Sequence, residues 1–322
     1  MNINMNTLLN TLITKSNPIL KEQIEKLSVD GKIDLSSTIK NKGIQVLLRE
    51  LFKDIFVGTK NKSEVLNLLE DNKHSLKFKN IAKDIKNIIK ILSQDIENMP
   101  KIKELIGLLK NTLIDIKTID EKVVKSTFGN SGTFLESKLL MNNASNMKNI
   151  TGDLKTIILQ IKEVIDKQNS NESVSRELKN NVDKVLSQID YYQLSSYSSN
   201  SNHSYLSFLQ DDLEDVDIKF NNSKDNEFSC LIHLSLKEKG DLKILLQLDG
   251  KKGLHINIGV EQENFKKKIQ AELQALRVKI NSLGLAIMSL NIFDLSDELK
   301  KSNELKAYEN NQNLNFGVDI KV

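Results

Sequence analysis

Between Phe228 and Phe293 the spacing of apolar residues changes period, and that change constrains the fold more than any other feature of the chain. Ile232, Leu234 and Leu236 alternate with His233 and Ser235; Leu242, Ile244, Leu246 and Leu248 repeat the pattern after Gly240-Asp241; Leu254, Ile256, Ile258 and Val260 repeat it again after Asp249-Gly250-Lys251-Lys252-Gly253. A period of two buries one side of a strand. The Gly-containing breaks tolerate positive φ, so the three runs predict an antiparallel meander with tight turns. From Phe265 the period becomes helical: Phe265, Ile269, Leu273, Leu276, Ile280 and Leu283 form one stripe of a helix about six turns long. Asn264 is placed as its N-cap and Gly284 at its C′ position. Leu285–Phe293 reads as a further strand. A helix of this length between two strands predicts a right-handed crossover, with the last strand parallel to its partner.

Leu236-Lys-Glu-Lys-Gly240-Asp-Leu-Lys-Ile-Leu-Leu-Gln-Leu248, the following Leu254–Val260 and the stripe Phe265–Gly284 resemble the C-terminal domain of the flagellar hook-length control protein (FliK) family. In that family the helix carries a Leu-Arg, here Leu276-Arg277, and stops in a Gly before the last strand, here Leu283-Gly284-Leu285. Val318-Asp-Ile-Lys-Val322 is similar to the closing residues of many such chains. The family often has a Pro shortly before the first Gly, whereas this chain has Lys237-Glu238-Lys239. The resemblance covers roughly the last third of the chain and rests on apolar positions and a few Gly, not on a catalytic signature.

At 322 residues the chain is long enough for two domains. Aromatic residues are 5% and Trp is absent, so its cores must be built from Leu, Ile and Val. Lys+Arg number 46 against 43 Asp+Glu, and the two signs are interspersed, which argues against a nucleic-acid footprint. The single Cys, Cys230, excludes an intramolecular disulfide and is expected to be a buried structural thiol at a strand start. The first residues lack a basic n-region and a long apolar h-region, and no run of about 18 apolar residues occurs. The expectation is therefore a cytoplasmic chain without membrane insertion.

Upstream of the meander the pattern is helical. Leu8, Leu9, Leu12 and Ile13, then Ile19, Leu20, Ile24 and Leu27 give helical spacing interrupted at Pro18. Leu35–Phe56 continues it, Ser63–Leu69 reads as a capped helix, and Ile81, Ile85, Ile88, Ile89 and Leu92 form a regular stripe that Pro100 ends. Ile102–Ile116 is the next helix. In Phe128-Gly-Asn-Ser-Gly-Thr-Phe-Leu-Glu136, Gly129 and Gly132 permit a bend, and Thr133 with Glu136 forms a capping box. Leu154–Ile165 and Val174–Ile189 are further helices, and Ser195–Ser204 is a low-complexity loop. Asp215–Phe220 is the first strand of the following domain, with a hairpin turn at 221–226. The fold class is α+β: an all-helical N-terminal region, then a small domain with a mixed sheet of about four strands and one long helix across it. The divisions are 1–126 (helical), 127–203 (helical segment and Ser/Asn-rich linker), 204–300 (hook-length-control-like domain) and 301–322 (tail).

No constellation for catalysis, cofactor or metal is apparent. His74, His203, His233 and His255 have no metal-like spacing, and His233 and His255 fall on predicted solvent faces. The acidic cluster Asp211-Asp212 and Glu214-Asp215 sits beside a loop, where a solvated turn is expected. Lys266-Lys267-Lys268 is a basic patch at a helix start. The resemblance implies action in hook-length control and in the substrate-specificity switch of flagellar type III export. It implies as partners the cytoplasmic domain of the export switch protein, with hook and hook-cap subunits as further partners, and export through the flagellar apparatus. Gly240, Leu242, Leu276 and Gly284 are then fold determinants, with Arg277, Lys266 and Lys267 as candidates for partner contact. The alternative of a different class is a non-secreted scaffold that uses the same domain as a docking module.

Overall fold

The structure is a computed structural model that describes residues 81–95, 100–135, 138, 150–167, 172–199, 201–222, 228–249 and 253–295. The helical patterns predicted before Ile81, residues 223–226 of the hairpin turn expected at 221–226, residues 250–252 and the tail lie outside the described residues, while Asn221 and Asn222 belong to a strand. The chain divides after Leu209 into two units.

The first unit contains α1 (Ile81–Asp95), α2 (Pro100–Lys110), a 3-10 turn (Ile116–Thr118), α3 (Glu121–Gly129), α4 (Leu154–Lys167), α5 (Glu172–Ser199) and the short strand β1 (Asn202–Tyr205). Each long helix turns one aliphatic stripe inward. Ile85, Ile88 and Leu92 of α1 meet Ile102, Leu105 and Leu109 of α2, Ile157, Ile158 and Ile161 of α4, and Val182, Val185 and Ile189 of α5 in one core. Pro100 opens α2, where its missing N–H costs nothing. One carboxylate lies among these aliphatic groups: Asp84 accepts from Lys184 Nζ and Gln188 Nε2, both at 2.8 Å, and so ties α1 to α5. Lys162 pairs with Asp183 between α4 and α5.

A second, polar set of contacts fastens the 129–133 bend. Gly132 has φ +92°, and a Cβ there would sit 3.0 Å from Ile189 Cδ1 and Lys155 Cβ. Ser131, Thr133 and Ser204 bring their hydroxyls together at 2.9–3.2 Å. Gln193 Nε2 donates to the Gly132 and Thr133 carbonyls, and its Oε1 accepts from the buried Lys155 Nζ, which also bonds Asp190 at 2.9 Å. Burial, and secondarily the charge of Asp153, hold the Tyr205 phenol well above its ordinary pKa, so it stays protonated and donates to the Ser131 carbonyl. The Thr133 hydroxyl therefore engages Ser204; the Glu136 half of the expected capping box lies outside the described residues.

The loop predicted over Ser195–Ser204 is not a loop. α5 continues through Ser199, and β1 follows. The serines are accommodated because their hydroxyls bond within the turn: Ser196 Oγ donates to the Tyr192 carbonyl and Ser199 Oγ to the Ser195 carbonyl, at 2.8 and 2.7 Å. Ser195 Oγ also meets His203 Nδ1 at 2.8 Å, and the His203 ring stands edge-on to Tyr192 at 4.9 Å.

The second unit contains β2 (Leu213–Asn222), β3 (Phe228–Leu236), β4 (Gly240–Leu248), β5 (Gly253–Val260), α6 (Glu263–Ala271), α7 (Leu273–Ser282) and β6 (Ala286–Asp294). Its strands lie in chain order. The pairs from β2 to β5 are antiparallel, and β6 is parallel to β5, as the crossover requires. Among the described residues there are six strands, where about four were expected: β1 straddles the end of the supposed linker, and the expected count omitted one of the alternating runs. Leu213, Glu214 and Asp215 belong to β2, so the acidic cluster is partly strand and not wholly a turn.

The helix predicted as one piece is two. The chain breaks at Glu272, where φ and ψ are −95° and 1°, and α7 starts at the next residue. The apolar stripe survives the break because Phe265, Ile269, Leu273, Leu276 and Ile280 still face the same core. Gln262 occupies the N-cap of α6 without a side-chain bond; Asn264 is already inside the helix. Both helices lie against β6 and α6 also against β5. Beneath them Leu242, Leu254, Ile256, Ile258, Val260 and Leu290 form the buried layer.

Leu242 is 7% exposed and stands opposite Leu234 on one side and Val260 on the other. Leu242→Asp places a carboxylate in that layer without a partner and is expected to cost more than about 3 kcal/mol. Amide exchange in the full chain checks this: protection should be lost across β3–β5 and retained in α1 and α5. Unchanged exchange in β3–β5 would contradict the assignment of this face.

Candidate functional site

The two faces of the second unit's sheet differ in chemistry. Residues of even number on β4 and β5 point toward the helices; those of odd number make the other face. In register across β2, β3, β4, β5 and β6 this second face carries Asp217, His233, Lys243, Gly259 and Phe293, then Lys219, Leu231, Leu245, Asn257 and Asn291. Cross-strand bonds organise it: Asn291 Nδ2 donates to Asn257 Oδ1 at 3.0 Å, His255 Nδ1 meets Ser289 Oγ at 2.9 Å, and Ser235 Oγ donates to Asp241 Oδ1 at 2.6 Å. His233 lies between the Asp217 and Asp241 carboxylates at 3.8 and 3.4 Å and is 24% exposed. The histidines predicted on the solvent face do lie opposite the helices, but as half-buried members of this layer, not as free surface groups. At its end Gly259 allows close packing, since an added Cβ would come within 2.6 Å of Phe293 and Leu295 side-chain atoms.

The positions singled out from the sequence fall into three groups. Leu242 and Leu276 pack in the helix-side core, Leu276 only partly buried. Gly240 (φ +70°) and Gly284 (φ +77°) supply left-handed backbone at the β3–β4 turn and just after α7. A Cβ on Gly240 would also run into the Glu261 carboxylate, which accepts a 2.7 Å bond from the Asp241 N–H; around Gly284 there is open space. The three cations are not equivalent. Lys266 is largely buried and donates to Asp294 at 2.7 Å, so it ties α6 to the end of β6. Lys267 is 68% exposed, with Glu263 at 3.9 Å. Arg277 is half-buried on α7. The structure thus does not gather the three into one patch of free charge. Lys239, one residue before the turn glycine, holds its ammonium 5.6 Å from the Phe265 ring centroid, a contact the spacing gave no sign of.

Among the described residues no group of three or more His, Cys, Asp or Glu side chains could hold a metal ion. Burial pushes the Cys230 thiol up to about 11, so at neutral pH it is neither a nucleophile nor a thiolate ligand. Among the described residues no helix is long and apolar enough to cross a membrane.

A meander closed by a helical crossover, with one aliphatic face covered by helices and one face of mixed polar and apolar side chains, is a small α+β domain. Residues 217–299 match the family described as flagellar hook-length control protein FliK, from within β2 to just past β6. The second unit therefore carries a domain of the hook-length control family. No curated protein and no solved structure matches the chain.

Gly284→Ala is expected to cost about 1–2 kcal/mol, through backbone strain alone. Gly240→Ala should cost more because it also displaces the Glu261 carboxylate, and the excess should shrink in a Glu261→Ala background, which removes the two closest of the atoms it meets; urea unfolding of the single and double variants measures this. For Cys230 the sign follows from the raised pKa: above pH 9 the unfolded chain loses the thiol proton before the folded chain does, so stability falls as pH rises from 9 toward 11. Alkylation at pH 8 should be slow in the native chain and fast in denaturant, and fast native alkylation would contradict the burial.

Proposed function

We propose that this protein acts in flagellar assembly, in hook-length control and in the substrate-specificity switch of type III export, through its second unit. The observation that carries the reading is the family match over residues 217–299. The fold agrees with a docking role: the sheet face away from the helices holds the bonded pairs His255–Ser289 and Asn257–Asn291 beside Leu231 and Leu245, and the helix face carries the exposed Lys267 and the half-buried Arg277. The partner in this reading is the cytoplasmic domain of the export switch protein, with hook and hook-cap subunits met during export.

One observation favours a second reading. Length sensing during export needs a chain that unfolds readily. The first unit instead has a continuous Ile/Leu/Val core with Asp84 and Lys155 bonded inside it. About 200 residues would span roughly 300 Å as a helix or about 700 Å extended, but only once that core opens. A scaffold that stays in the cell, and uses the second unit to dock, has no such requirement.

Hook length by electron microscopy in a strain lacking this gene tests the first reading. Long, unterminated hooks without filaments are expected; normal hooks would overturn it. The culture supernatant separates the two: a secreted sensor appears there and a scaffold does not.

A further inference from the structure

The two crossover helices are held to the sheet in different ways. α6 is pinned near its start: Lys266 donates to Asp294 at the end of β6 at 2.7 Å, and Lys239 of the β3–β4 turn holds its ammonium 5.6 Å from the Phe265 ring centroid. Among the described residues no side chain of α7 makes a hydrogen bond or ion pair outside its own helix; Ser282 Oγ donates to the Lys279 carbonyl within it. The hold of α7 is apolar, through Leu273, Leu276 and Ile280, each only partly buried. That hold also ends early, since Leu283, the next residue in phase, is 76% exposed.

A backbone joint lies at each end of α7. At Glu272 the helix breaks, and that side chain accepts no bond from the first turn of α7. At Gly284 the backbone is left-handed, with φ +77° and nothing within 4 Å of an added Cβ. The Lys266–Asp294 bond sets α6 at the end of β6, so α7 lies toward its start, where Ile287 stands opposite Leu254 of β5. Leu254 is 8% exposed beneath this cover.

We propose that α7 is a detachable flap that leaves the sheet about Glu272 and Gly284 while α6 and the strands stay in place, baring Leu254 and Ile287. A ten-residue helix is too short to persist alone in water, so α7 loses its helical hydrogen bonds as it leaves. Local opening of this kind starts where a fold has the fewest buried contacts, and it gives the domain one aliphatic end that is either sealed or bare. The inference does not depend on the flagellar reading.

Amide exchange in the wild-type full chain, at increasing urea below the unfolding transition, is the first test. After correction for intrinsic rates, α7 amides from Arg277 to Ser282 should exchange at least tenfold faster than α6 amides from Lys267 to Ala271 and than those of β5, with almost no dependence on urea. Alkylation then reads the sheet beneath. In a Cys230→Ala background the thiol of Leu254→Cys should react at least tenfold faster than global unfolding of that variant allows. The thiol of Val260→Cys, at the other end of β5 and opposite Asp294, should react only as fast as global unfolding allows. Equal exchange of α6 and α7 would overturn the proposal, as would a Leu254→Cys thiol that reacts only through global unfolding. Loss of β5 protection together with α7 would also overturn it, because the event would then be fraying of the sheet.

Discussion

Burial of one aliphatic layer holds the second unit together. Leu242, Leu254, Ile256, Ile258, Val260 and Leu290 lose water only when the meander, the crossover helices and β6 come together in one register. A slip of one residue would turn every one of these side chains to the other face, where Asp217, His233, Lys243, Asn257 and Asn291 belong. The polar face thus inherits its order from the oily one. His255 meets Ser289, and Asn257 meets Asn291, because the aliphatic rows fix which residues lie opposite one another.

The first unit is stabilised differently. Its aliphatic core packs four helices, but the bend at 129–133 is held by hydroxyls, carbonyls and the buried Lys155. Hydrogen bonds of this kind are directional, so they select one arrangement where a purely apolar contact would tolerate several. Tyr205, protonated and buried, links β1 to Ser131 within the same network. A unit so fastened presents a fixed surface.

Much of this was legible in the residues. Period-two runs and the later helical stripe located β3, β4, β5 and β6, and the length of the crossover implied the parallel pair. The break at Glu272 was hidden because the apolar stripe crosses it without a change in phase. The extent of α5 was hidden because serine-rich sequence suggests a loop, while here Ser196 and Ser199 satisfy themselves on carbonyls of the preceding turn. The site was only partly readable. Alternation showed which strand residues face away from the helices, but which of them meet depends on register, and the withdrawal of Lys266 onto Asp294 depends on two segments 28 residues apart. The family pattern drew attention to Gly240 and Gly284 alike; only the structure separates the one that backs onto Glu261 from the one in open space.

In the proposed reading the folded second unit carries the protein's role in the flagellum. The most direct test is to measure hook length in cells whose chromosomal copy encodes the full chain with Leu242→Asp, checked for wild-type abundance. Hooks as long as those of the deletion strain would be the expected result. Hooks of normal length, with β3–β5 shown to be unfolded in the purified variant, would contradict the claim and place the function elsewhere in the chain.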